Sequence, residues 1–263
     1  MRRSLFRSYP RLAIVLVVLL ITACAGPAKP PTATPAGEEA ATAAPEATPA
    51  EATGRAGIFV YAHGTQFPDL DPAKSYSNDS VVMSNCYETL TFYNPPGSEE
   101  VLSPKLATSW EANEDATEWT FYLRQGVTFH DGEPFNAEAV KFSIENTKEL
   151  GIGAAYIWDP VEEIETPDEH TVRFKLSYPA PLDLIASSGY AAWIYSPKAY
   201  PELGSDWFQQ GHCAGTGPYI IESYEPGSRL VMTRNEDYWG GWKPRQFEKV
   251  VFEISQDPVV LQQ

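Results

Sequence analysis

The chain has 263 residues, 43% of them hydrophobic and 13% aromatic, and a formal charge of -16. That length and apolar content suffice for one large folded unit or two modest ones with buried cores. Four arginines (Arg2, Arg3, Arg7, Arg11) and no acid precede Cys24; without them, fifteen basic residues face 35 acidic ones, a net charge of -20. So acidic a body excludes nucleic acid as a partner, because phosphate recognition needs clustered Lys and Arg.

Residues 1–11 are basic, and Leu12 to Ile21 form an uninterrupted apolar run. The run is too short to span a bilayer, which takes about 20 apolar residues, and has the length of a signal-peptide core. Ile21-Thr22-Ala23-Cys24 follows it. That tetrapeptide resembles the lipobox of bacterial lipoproteins, which implies a signal peptide over 1–23 and a lipidated Cys24. The acyl chains would anchor the protein to the outer face of the cytoplasmic membrane without spanning it. Residues 25–56 are rich in Ala, Pro, Thr and Glu, with no aromatic residue and no aliphatic side chain larger than Ala. Such a stretch cannot bury enough apolar surface to offset its ordering entropy, so it reads as a disordered linker.

Order is expected from Gly57. Ile58 to Ala62 predicts a buried strand, and His63-Gly64-Thr65-Gln66-Phe67 the loop after it. Asp79 or Ser80 starts a helix through Val81, Val82, Cys86 and Leu90. Leu106 to Ala112 and Trp119 to Arg124 make a hairpin around the turn 113–116, with Trp119, Phe121 and Leu123 on its apolar face. Asn136 caps a helix whose buried stripe holds Ala139, Val140, Ser143 and Ile144 and which stops at Gly151. A second hairpin pairs 161–166 with 171–176. Helices are expected at 181–187, 197–203 and 206–210, and strands at 190–195, 218–224, 230–235 and 247–255.

No catalytic constellation emerges. His63, His130, His170 and His212 lack a metal-ligand partner at helical spacing, so no metal or other cofactor is expected. Gly215-Thr216-Gly217 lacks the third glycine and the lysine of nucleotide loops. The pair Glu162-Glu163 falls in a hairpin strand and reads as a solvated face. No nucleophile, base and oxyanion donor come together, so an enzyme is not expected. Seven Trp, 14 Tyr and 12 Phe suit either a core or a ligand cleft. Cys86 and Cys213 form an even pair in an exported chain. A disulfide between them, which in the chain-entropy model would stabilise by roughly 5 kcal/mol, and two buried free thiols are both compatible with the sequence.

Five blocks, in order, resemble the solute-binding protein family 5 of ABC transporters, whose members bind oligopeptides, dipeptides or nickel. They are Leu70-Asp71-Pro72; Tyr87-Glu88-Thr89-Leu90; the hairpin Leu106 to Glu111 with Trp119 to Arg124; Phe129-His130-Asp131-Gly132 with Ala137-Glu138-Ala139-Val140; and Gly215-Thr216-Gly217-Pro218-Tyr219 with Asn235-Glu236-Asp237-Tyr238-Trp239. Ala139 stands where members usually carry Asp. The resemblance implies an α/β fold, lobe one of a type II periplasmic binding protein, over residues 57–263. It further implies an inserted β-rich subdomain over about 92–200, a crossover starting at about 256–263, and a second lobe absent from this sequence. The implied function is capture of peptides or related small solutes outside the membrane for an ABC permease, impaired if half the cleft is missing. The alternative is a lipid-anchored surface receptor or adhesion module, or a non-functional fragment. Expected ligand contacts are the loop His63, Gly64, Thr65, Gln66 and Phe67, which family members use, and second the segment Tyr190 to Tyr195, with Trp193 as anchor and Tyr195 beside it; Gly217 is expected to serve backbone geometry.

Overall fold

A computed structural model describes residues 56–255. Cys24, the signal-like segment, most of the linker and the 256–263 crossover lie outside the described residues.

Two four-stranded sheets carry the fold. The first has the order β1-β10-β9-β8, from β1 (Ala56–His63), β8 (Tyr219–Glu225), β9 (Arg229–Arg234) and β10 (Phe247–Ile254). β1 runs parallel to β10, and the other pairs are antiparallel. The chain therefore leaves this sheet after β1 and returns to its far side about 155 residues later, since only a long crossover joins parallel neighbours. The second sheet has the order β4-β5-β7-β6, from β4 (Ala107–Ala112), β5 (Glu118–Leu123), β6 (Val161–Asp168) and β7 (Thr171–Leu176). It is antiparallel throughout. A short ribbon of β2 (Thr91–Tyr93) and β3 (Leu102–Pro104) leads into it.

The helices follow from local chemistry. α2 (Ala137–Leu150) begins where the Asn136 side chain accepts the Ala139 N–H at 3.0 Å and ends at Gly151 in the left-handed conformation, φ 62°. Its buried stripe is the expected one, Ala139, Val140, Ser143 and Ile144, and it covers the second sheet's core of Phe121, Phe174, Trp158 and Leu106. Asn136→Ala should lower stability by about 1 kcal/mol through loss of this cap, read as a reduced urea midpoint at unchanged slope. α1 (Ser80–Cys86), α3 (Leu182–Ile185) and α4 (Ala199–Gln209) are shorter or bent; α4 joins the two helices expected at 197–210 across a kink at Gly204. The first sheet and α1 share a separate core that includes Met83, Cys86, Tyr87, Cys213 and Phe252.

Three expectations need correction. β1 is not buried: it lies at the sheet edge, and Ile58 to Ala62 are exposed, because nothing among the described residues covers either face. α1 stops at Cys86, where Tyr87 turns extended. Residues 190–195 are not a strand. Ala191 has φ 59°, and the segment's N–H groups go elsewhere, Ile194 N to the Glu88 carbonyl and Tyr195 N to Ser143 Oγ. Cys86 and Cys213 are both buried and unbridged in this structure.

Candidate ligand groove and the motifs beneath it

Backbone pairing of Glu88 with Ile194 lays the segment 187–194 beside the end of α1. This places Trp193 between two shallow concavities. One, about 180 Å³, is lined by Ser84, Glu88, Phe92, Tyr93, Lys105 and Gly189 among others; its neighbour, about 280 Å³, by Ser80, Val81, Ser84, Gly189 and Tyr190. Ser84, Gly189 and Trp193 belong to both. Each is smaller than a typical ligand pocket of ≈ 300–1,000 Å³. Together they make a one-sided groove.

The rim is aromatic. Tyr190, Phe92 and Tyr93 are exposed, and Tyr76 stands edge-on to Tyr190 with ring centroids 6.4 Å apart. Trp193 itself is only 5% exposed, yet its Nε1 has no acceptor. A buried N–H left unpaired costs about 1–3 kcal/mol, which makes this indole an exception among buried polar groups.

The floor is the Glu88 carboxylate. Oε1 receives Tyr238 OH at 2.8 Å and Lys105 Nζ at 2.9 Å; Oε2 receives Thr216 Oγ at 2.8 Å and Trp239 Nε1 at 2.6 Å. Four donors saturate the acceptor sites of a carboxylate, so Glu88 has none left for a ligand. Burial, then the Glu88 charge and hydrogen bond, raises the Tyr238 pKa and keeps the phenol protonated. Arg124 lies 4.2 Å over the Trp239 ring, on the outer side of the same cluster.

This cluster joins sequence blocks far apart in the chain. Tyr-Glu-x-Leu supplies Glu88, the glycine block Thr216, and the last block Tyr238 and Trp239. The Phe-His-Asp-Gly corner joins next door: His130 N donates to Gly215 O at 2.8 Å, and His130 Nε2 to Gly217 O at 2.9 Å. His130 thus clamps the glycine block. Gly217 is required by close approach, not by a left-handed backbone. A Cβ there would sit 2.6 Å from the Cys86 carbonyl carbon.

Of the residues expected to meet ligand, Trp193 lies in the groove. Gly64, Thr65 and Gln66 are exposed, and Thr65 is tied at 2.9 Å to Asn78, just ahead of the groove residue Ser80. The His63 side chain is outside what the structure describes. Phe67 and Tyr195 are corrections. Phe67 is buried edge-on against Phe252, ring centroids 5.6 Å apart. Tyr195 is fully buried, its hydroxyl bonded to Asn146 and the Ser143 carbonyl. Groove residues the sequence reading missed include Ser84 and Gly189. Among the described residues no cluster of three or more His, Cys, Asp or Glu could hold a metal ion.

The probable D,D-dipeptide-binding periplasmic protein DdpA of Escherichia coli K12 is 37% identical over 191 residues, covering 70% of this chain and 37% of DdpA. The nickel-binding periplasmic protein of the same organism is 30% identical, covering 72% of this chain and 36% of its own length. Among solved structures, MoaA of A. tumefaciens R10 in complex with mannopinic acid superposes with a TM-score of 0.69 at 27% identity, covering 79% of this chain and 42% of MoaA. DppA of Helicobacter pylori in complex with the peptide STSA gives 0.66 at 27% identity, over 78% of this chain and 44% of DppA. The chain thus spans well under half the length of these relatives. The model of the bacterial extracellular solute-binding proteins, family 5, matches residues 101–263, and the chain belongs to that family of solute-binding proteins.

Proposed function

We propose that the chain serves substrate capture for an ABC importer, binding a short peptide or related small solute outside the cytoplasmic membrane and presenting it to a permease. The relatives named above are binding proteins for D,D-dipeptides and nickel, and DppA was solved with a peptide. The observation that carries the reading is the groove lined by Trp193 and rimmed by Tyr190, Phe92 and Tyr93, with an indole N–H beneath its surface that has no partner within the chain. An indole N–H suits a peptide carbonyl or carboxylate, and the aromatic rim suits its side chains. We read Cys24 as the lipid attachment point of an exported chain, residues 24–56 as its tether, and residues 57–263 as lobe one, with about 92–200 as the inserted subdomain. Contacts from Gly64, Thr65 and Gln66 belong to the same proposal, at the far end of the groove.

A one-sided groove provides few contacts, so affinity should be low. Ala-Ala and D-Ala-D-Ala should bind the full chain with Kd values in the millimolar range, about −4 kcal/mol. Trp193→Phe should weaken binding about tenfold, the worth of one hydrogen bond. Ligand-observed NMR measures both. Submicromolar binding would contradict a one-sided site, and unchanged affinity in Trp193→Phe would remove Trp193 from it.

A further inference from the structure

Cys86 closes α1, and Cys213 lies on the approach to β8. They are far apart in sequence, yet they share one apolar core, and the segments that carry them are hydrogen-bonded: Gly217 N donates to Cys86 O at 2.9 Å and Ala214 N to the Tyr87 hydroxyl at 3.4 Å. Cys213 Sγ also lies 3.5 Å from His130 Nδ1 and accepts the Ile221 N–H at 3.5 Å. The other ring nitrogen of His130 faces the Gly217 carbonyl, which can only accept. The proton therefore sits on Nε2, and the Nδ1 lone pair is turned toward Cys213.

We propose that Cys86 and Cys213 form a disulfide when the chain folds in an oxidising compartment, with His130 as the base that takes the Cys213 proton. Cys213 retains 7% exposure and Cys86 none, so Cys213 is the thiol an external disulfide meets as the core closes. Its S–H proton passes to His130 Nδ1. The thiolate attacks one sulfur of a protein or small-molecule disulfide, whose S–S bond breaks and whose other sulfur leaves as a thiolate. Cys86 then gives its proton to the thiolate already released, and its sulfur attacks Cys213 Sγ, breaking the mixed disulfide and releasing the second external sulfur as a thiolate that takes the proton from His130. Two electrons and two protons leave the pair, and the external disulfide is reduced to two thiols.

The environment of each sulfur suits its part. Burial opposes a Cys213 thiolate, but the Cys86 thiol and His130 outweigh it and draw the Cys213 pKa below the ordinary thiol range. Burial pushes Cys86 well above it. A low-pKa thiol beside a base is the one that attacks the external disulfide first. The bond would fasten α1 to the 213–217 segment, which already donates Gly217 N to Cys86 O at 2.9 Å.

The full chain, produced with export to an oxidising periplasm, can be denatured without reductant in N-ethylmaleimide and peptide-mapped. The Cys86 and Cys213 peptides should emerge linked and unalkylated, and reduction should release both and lower Tm by about 5–15 °C. Alkylation of both cysteines in the unreduced chain, or a bridge from either to Cys24, would overturn the proposal. Reoxidation of the reduced chain by oxidised glutathione should slow about tenfold in His130→Asn, and an unchanged rate would remove His130 from the step.

Discussion

Gly217→Ala is expected to destabilise the chain by about 3 kcal/mol, the upper end of overpacking costs. The new Cβ would meet the Cys86 carbonyl carbon at 2.6 Å and its oxygen at 2.7 Å. These are backbone atoms at the end of α1, so no side chain can swing away. Moving the segment would also break two bonds, Gly217 N to Cys86 O and His130 Nε2 to Gly217 O, each 2.9 Å. Gly215→Ala should behave alike, since its Cβ would sit 2.8 Å from the Cys86 carbonyl carbon and 2.7 Å from Tyr87 Cδ1. Gly57, with nothing within 4 Å of a Cβ, is the control and should change stability by no more than about 0.5 kcal/mol. Urea titrations of the three variants decide it; equal midpoints for Gly217→Ala and Gly57→Ala would refute the close-approach argument.

Glu88→Ala is expected to cost about 3–5 kcal/mol, the range for breaking a buried ion pair from one side. Its carboxylate is almost wholly buried and holds Lys105, Tyr238, Thr216 and Trp239 at once. Removing it orphans those donors and leaves the Lys105 ammonium beside Phe92 and Trp239 without its partner. Glu88→Gln keeps the shape but turns an NH₂ toward groups that are themselves donors, so it should fall between wild type and alanine. A fall of this size is a large fraction of the 5–15 kcal/mol that holds a typical domain. Thermal unfolding of Glu88→Ala at the wild-type temperature would mean that the cluster contributes nothing net.

Much of the local structure was legible in the sequence because local chemistry determines it. Asn136 and Gly151 bound α2 in the positions their side-chain chemistry favours. The alternation of Trp119, Phe121 and Leu123 placed the inner face of β5. What could not be read locally depends on which elements become neighbours. The apolar run Ile58 to Ala62 looks like a central strand, and only the strand order shows that it is an edge. The aromatic run at 190–195 has strand composition, but Ala191 is held in the left-handed region with its carbonyl accepting from Trp158 Nε1 at 2.6 Å. Phe67 was expected at the groove because the family resemblance implies that its loop meets ligand, and Tyr195 because it belongs to an aromatic segment; sequence alone does not say which side of the backbone is filled. Trp193 was found for the same compositional reason, and its unpaired N–H is visible only in the fold. The family blocks were recognisable as motifs long before their role was: they converge on Glu88, at the floor of the groove, and on His130 beside the glycine block.

The most direct test of ligand contact at Trp193 is ¹⁹F NMR of the full chain carrying 5-fluorotryptophan at its seven Trp positions, with the Trp193 resonance assigned by its loss in Trp193→Phe. On addition of Ala-Ala, the Trp193 signal should shift and saturate in the millimolar range while those of Trp119 and Trp158, buried in the other core, stay in place. A peptide that binds without moving the Trp193 resonance would contradict the account.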